Sequence, residues 1–224
     1  MKRVLLVTAL MLSGVQCASA DDVASFDEAG SLPPSGPSHT ASDDYTFCTV
    51  CHGAEGNGNV AINAPKIAGI EPWYLKRQLQ QFRAGTRGTK PADLPGMEMR
   101  PVGMQLDDPA IEKVTAYIST FSPQAPPVTV AGDVKRGKSL YVTCGGCHGE
   151  RGEGNAELKS PALAGQTDWY LVTQLERFRA GERGFMPEDE QGSQMRAASA
   201  VLPDATAVND VVAYINTLTR RRGT

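Results

Sequence analysis

Apolar residues in this chain recur mostly three and four positions apart, and the alternation expected of half-buried strands is scarce. The spacing predicts helices over 73–84 and 169–180, each opening on Trp-Tyr-Leu and closing at Gly85 or Gly181. Glycine readily takes the left-handed conformation that ends a helix. Two later helices are predicted over 109–121 and 205–218, with Tyr117-Ile118 and Tyr214-Ile215 turned inward. A helix over 133–143 leads into Cys144. Before Cys48 there is only the short stretch Asp43-Asp44-Tyr45-Thr46-Phe47, without the Arg136-Gly137-Lys138-Ser139-Leu140-Tyr141 run of the later copy. This short stretch does not by itself specify first-to-last helix packing in the first half. The fold class expected is all-α.

These elements occur twice. Residues 48–88 and 144–184 align without a gap in a register of 96, with 21 of 41 positions identical. That is an internal duplication. The stretch Ser122-Pro123-Gln124-Ala125-Pro126-Pro127 separates the copies and reads as a stiff linker. The expected organisation is a domain over 43–122, a linker over 123–129 and a domain over 130–219. A Pro/Ser-rich, acid-containing leader (21–42) precedes them and a basic tail (220–224) follows. Domains this small bury a limited core and often need a staple.

Chemistry enters with two Cys-x-x-Cys-His motifs, Cys48-Thr49-Val50-Cys51-His52 and Cys144-Gly145-Gly146-Cys147-His148. This is the attachment pattern of a c-type haem. Residues i, i+3 and i+4 share one side of a helical turn, so two thiols and one imidazole can meet one face of a porphyrin. A zinc site would gather four such ligands in one place. A thioredoxin-like pair would sit in a βαβ context and would not call for the histidine. The expected cofactor is two haem c groups, held covalently by Cys48, Cys51, Cys144 and Cys147, with His52 and His148 on the irons. Burying a few hundred Å² of porphyrin would contribute on the order of 5–10 kcal/mol, so the apo chain is expected to be largely unfolded.

The register also selects a sixth ligand. Met99 falls on Met195, and an arginine follows each, whereas Met97 falls on Ser193, Met104 on Ala200 and Met186 on Lys90. Met99 and Met195 are therefore the candidate axial methionines, with Met97 and Met104 as rivals in the first half and core filling as the ordinary use of any methionine. The third histidine, His39, lies in the leader, so two bis-histidine irons are excluded within one chain. His/Met ligation raises the reduction potential and leaves no open position on the iron. Trp73 and Trp169 read as core residues. Arg83 and Arg179 read equally as surface groups or as partners of haem carboxylates.

Residues 1–20 read as a secretory signal: Lys2 and Arg3, an apolar stretch, then Ala18-Ser19-Ala20. The apolar run is short for a membrane span. Gly14-Val15-Gln16 is a poor lipidation context for Cys17, which is expected to be discarded. Net charge is −3, and −5 without Lys2 and Arg3, which argues against a nucleic-acid partner.

Nearly all of 43–219 resembles the class I c-type cytochromes, and the duplication resembles the dihaem cytochrome c4 group. The resemblance carries Cys-x-x-Cys-His-Gly onto Cys48, Cys51, His52 and Gly53, and onto Cys144, Cys147, His148 and Gly149. It implies that the carbonyls of Pro65 and Pro161 orient the proximal histidines and that Met99 and Met195 are distal. It also implies two haems close enough across a pseudo-twofold interface to exchange electrons. The function expected is an exported, periplasmic carrier of single electrons, without substrate turnover, between redox proteins such as a quinol-oxidising complex, a dehydrogenase or a terminal oxidase. The alternative is the cytochrome subunit of a periplasmic dehydrogenase, for example a sulfide- or alcohol-oxidising one. A third reading is an enzyme acting at one labile iron.

Overall fold

The computed structural model describes residues 41–218. The signal-like segment 1–20, most of the leader and the tail 220–224 lie outside the described residues. Among those described there are eight α-helices and no strand, arranged as the same four-helix series twice. The first series is α1 (Ala41–His52), α2 (Pro72–Ala84), α3 (Leu94–Met104) and α4 (Asp108–Ser119). The second is α5 (Val134–His148), α6 (Asp168–Arg179), α7 (Glu190–Ser199) and α8 (Ala205–Ile215). No described helix is long and apolar enough to cross a membrane.

In each half the first helix packs on the last, with the second helix alongside and the third against the second. First-to-last packing forms in the first half as well, less extensively than in the second. The α1 helix runs unbroken through Cys48 to His52, and Tyr45 stands in register with Tyr141. Tyr45 is 2% exposed, with ring centroids 5.6 Å from Tyr117 and 4.9 Å from Phe121. Tyr141 lies 5.3 Å from Tyr214 in the second half. The second half approaches more closely still: a Cβ on Gly137 would stand 1.9 Å from the Asp210 carbonyl oxygen, so only glycine lets α5 lie on α8. Its core contains Leu171, Leu202, Val208, Val211, Val212 and Ile215, whereas the first core rests on Tyr45, Leu75, Val114 and Ile118. The register slips by one in the last helices, where Asp107 and Asp204 are the N-caps, because Pro203 is an added residue.

Helices α3 and α7 have no regular apolar stripe, and α3 contains Pro101. They form because Asp93 and Asp189 cap them, each accepting from the N–H of a glycine three residues on, at 3.0 Å. The glycines let the carboxylates sit close: a Cβ on Gly96 or Gly192 would fall 2.1 or 1.9 Å from the cap's own carboxylate, which would have to shift.

Trp73 and Trp169 are half-buried rather than core residues. Arg83 and Arg179 donate to the carbonyls of Leu106 and Leu202 at 3.0 and 2.9 Å and to Asp108 and Glu176. They clamp the corner between the third and fourth helices of each half.

The linker lies along both halves. Lys66, 4% exposed, donates to the carbonyls of Gln124 (2.6 Å) and Gly165 (2.8 Å). Asp168 anchors the linker's end, accepting from Thr129 N and Oγ1, Val130 N, Trp169 N and Asn216. Burial alone would raise its carboxyl, but these donors outweigh burial and hold it below the usual range. A folded-state value below the unfolded one gives stability that is present above pH ~4 and lost as pH falls through the lower folded value. Asp168→Asn is expected to cost about 2 kcal/mol at neutral pH, and the deficit should shrink below pH 4 as the wild type loses the same contribution. Denaturant titration at pH 7 and pH 3 measures both.

Candidate haem sites

Each motif occupies the last turn of a long helix, so its two thiols and imidazole leave one side of that helix together. Cys48 and Cys144 are half-buried, and Cys51 and Cys147 are exposed. Burial pushes the Cys48 and Cys144 thiols up. His52 and His148 are 6% and 5% exposed. The Nδ1 atoms meet the carbonyl oxygens of Pro65 at 2.8 Å and Pro161 at 2.7 Å. A carbonyl only accepts, so Nδ1 carries the proton and Nε2 is left as a lone-pair donor. Burial pulls both imidazoles below the usual range, with the proline carbonyls opposing it, which favours the neutral ring a metal needs. The turn beyond is braced by the Tyr45 and Tyr141 hydroxyls, donating to the carbonyls of Gly53 (2.7 Å) and Gly149 (2.8 Å).

In the second half a cavity joins Cys144, Cys147 and His148 to Met195 on α7. Leu163, Leu171, Leu175, Phe178, Leu202 and Ile215 make it apolar along most of its wall. Its polar part holds Arg183, Gln174 and Asp189, joined by Tyr74, Arg77, Gln78 and Gln81 of the first half. In the first half Met99 is half-buried on α3, whereas Met97 and Met104 are 41% and 55% exposed.

The polar part is an exchange between the halves. Arg87 donates to Tyr170 and Gln174 across the boundary, both at 3.1 Å, and to Gln78 at 2.6 Å. Arg183 donates to Tyr74 (3.0 Å) and Gln78 (2.7 Å) across it, and to Gln174 at 2.7 Å. The two guanidiniums are 7% and 5% exposed, share the same neutral acceptors, and each keeps a buried Nε without a partner. Burial would raise the Tyr74 hydroxyl, but Arg183, Arg87 and Arg77 together outweigh it and pull it down. Asp189 is the carboxylate that acts on Arg183 and Arg77, and buried cations that outnumber their counter-charge call for anions. An apolar slot with two thiols, one imidazole, one thioether and a surplus of guanidinium fits a haem, whose plane is apolar and whose edge carries two carboxylates.

The cytochrome c family profile matches residues 42–122 and again 134–219. The chain belongs to the cytochrome c family. It is 33% identical to cytochrome c4 of Azotobacter vinelandii over 178 residues, 74% of this chain and 82% of that one. It is 30% identical to the thiosulfate dehydrogenase electron acceptor of Stutzerimonas stutzeri (strain A1501) over 206 residues, 86% of each. The crystal structure of reduced recombinant cytochrome c4 from Pseudomonas stutzeri superposes with a TM-score of 0.62 at 30% identity, over 80% of this chain and 96% of that one. The chain is thus a dihaem class I c-type cytochrome of c4 type, with a haem c at Cys48/Cys51 and another at Cys144/Cys147.

The resemblance implied an interface between the halves of this cytochrome, but sequence reasoning missed the residues that form it. Its members, Tyr74, Gln78 and Arg87 with Tyr170, Gln174 and Arg183, are repeated in the 96-residue register, but nothing in a single half shows that a repeated polar residue faces its own copy. Tyr74→Phe removes one donor–acceptor contact to a buried guanidinium. It is expected to lower the holoprotein's unfolding free energy by about 1.5–3 kcal/mol, read by guanidinium titration, while Tyr74's exposed neighbour Pro72, changed to Ala, should cost far less.

Proposed function

We propose that this dihaem cytochrome is an exported, periplasmic carrier that passes single electrons between respiratory redox proteins. His52 and Met99 would be axial at one iron, and His148 and Met195 at the other. The observation that carries the reading is the cavity lined at once by Cys144, Cys147, His148 and Met195, with every one of those residues repeated in register in the first half. When bound, the haem supplies a one-electron ferric/ferrous couple. The chain's own work is to orient and to exclude. The Pro65 and Pro161 carbonyls fix the imidazoles. Asp93 and Asp189 start the short helices that bring Met99 and Met195 to the opposite side. The apolar wall keeps water from the iron.

A second reading is supported by a specific likeness: the chain matches the thiosulfate dehydrogenase electron acceptor over 86% of both lengths. In that reading the protein takes electrons from a sulfur-oxidising dehydrogenase and stays bound to it. Elution of the purified protein as a single chain supports the free carrier; co-elution with a catalytic subunit supports the complex.

Axial methionine is tested by opening it. Met195→Ala should leave two covalent haems, let carbon monoxide bind one of them in the reduced protein, and lower that haem's midpoint potential. Met99→Ala should do the same at the other haem. Wild-type protein that binds carbon monoxide rapidly at rest would instead favour an enzyme acting at a labile iron.

A further inference from the structure

The register of 96 residues pairs most of the polar interface with its own kind: Tyr74 with Tyr170, Gln78 with Gln174, Arg87 with Arg183, Asp93 with Asp189. Among the positions that break the symmetry, two lie on the facing helices α2 and α6. Gln81 is matched by Arg177, and Arg77 by Thr173.

Arg177 has carboxylate partners in the protein, although its Nε is buried without an acceptor. It pairs with Asp93 at 2.9 Å and Glu182 at 3.5 Å and donates to the Ala92 carbonyl at 2.9 Å. Across the interface Asp189 instead receives a neutral donor, Gln81, at 2.7 Å, together with its own cap N–H from Gly192. The arginine of that side stands one turn earlier on α2, as Arg77. Its guanidinium lines the second haem's cavity with Cys147, His148 and Met195. It lies 5.2 Å from the ring centroids of both Trp73 and Tyr74, which fix its direction. Only Nη2 has a protein acceptor, the Lys159 carbonyl at 3.2 Å, while Nε and Nη1 are buried without one. At the equivalent place in the other half, the Thr173 hydroxyl donates to the Trp169 carbonyl of its own helix.

We infer that Arg77 reaches across the domain boundary to bind a carboxylate of the second haem, and that the first haem has no equivalent contact. The inference rests on the dihaem reading above. Its consequence is electrostatic. A fixed cation beside a haem disfavours the more positive ferric state, and low polarity in the cavity strengthens the effect. Arg77 therefore raises the midpoint of the second haem alone. Glu71, also from the first half, accepts from Ala162 N at 3.3 Å on the proximal side and acts in the opposite sense. The inference concerns Arg77's own contribution rather than the final order of the two midpoints.

The test is a redox titration of the intact dihaem protein, with each midpoint assigned by nuclear magnetic resonance contacts of the haem methyls with Phe178 and Leu202 or with Phe82 and Leu106. Arg77→Thr copies the other half. It should shift the second haem's reduction equilibrium several-fold to tenfold toward ferric, tenfold being 59 mV for one electron, and leave the first haem unchanged. Arg77→Lys, keeping the charge, should retain most of the wild-type value. Arg77→Gln, which keeps the stem packed on Trp73 and Tyr74, should repeat the fall even if the threonine variant does not accumulate. Unchanged midpoints, or equal shifts at both haems, would overturn the inference. A protein without two reversible one-electron waves would instead fail the dihaem reading itself.

Discussion

One hydrogen bond in each half, from a histidine Nδ1 to a proline carbonyl, sets the plane around which the rest is arranged. Fixing Nδ1 decides the tautomer and leaves Nε2 as a buried lone-pair donor. The two thiols come from the same helical turn, so the haem's position follows from the helix that carries the motif. The other three helices of each half then have defined tasks. The last helix supports the first through Tyr45 or Tyr141, and the third carries Met99 or Met195 against the second.

The same constraint explains the interface. A haem buried along its plane presents its carboxylates at one edge, and an anionic edge in an apolar setting needs cations. Each half buries an arginine that the other half holds in place through a tyrosine and a glutamine. Neither half has a complete set of acceptors alone. The two halves are therefore joined by exchanged arginine hydrogen bonds as well as by the linker.

The duplicated motif and the helices ending at Gly85 and Gly181 were legible because each depends on local spacing or on register. The helices of Met99 and Met195 were not legible as helices. Pro95, Pro101, Gly96 and Gly103 in the first half argue against a helix by propensity, and its formation depends on the Asp93 cap and on packing against α2. Tyr45 was undervalued because the run before Cys48 differs from that before Cys144 everywhere except at the residue that packs. The interface tyrosines, glutamines and arginines were visible as repeats but not as partners, since contact between copies is a long-range property. Trp73 and Trp169 misled by size: the rings sit half-exposed, and Trp73 serves as a platform for Arg77.

The most direct measurement is the optical spectrum of the purified mature protein, oxidised and reduced, with covalent haem quantified against chain. The account predicts two haems per chain, low-spin spectra in both states, and the weak far-red band of methionine on ferric iron at full strength for two sites. One haem per chain, or a high-spin ferric spectrum lacking that band, would contradict it.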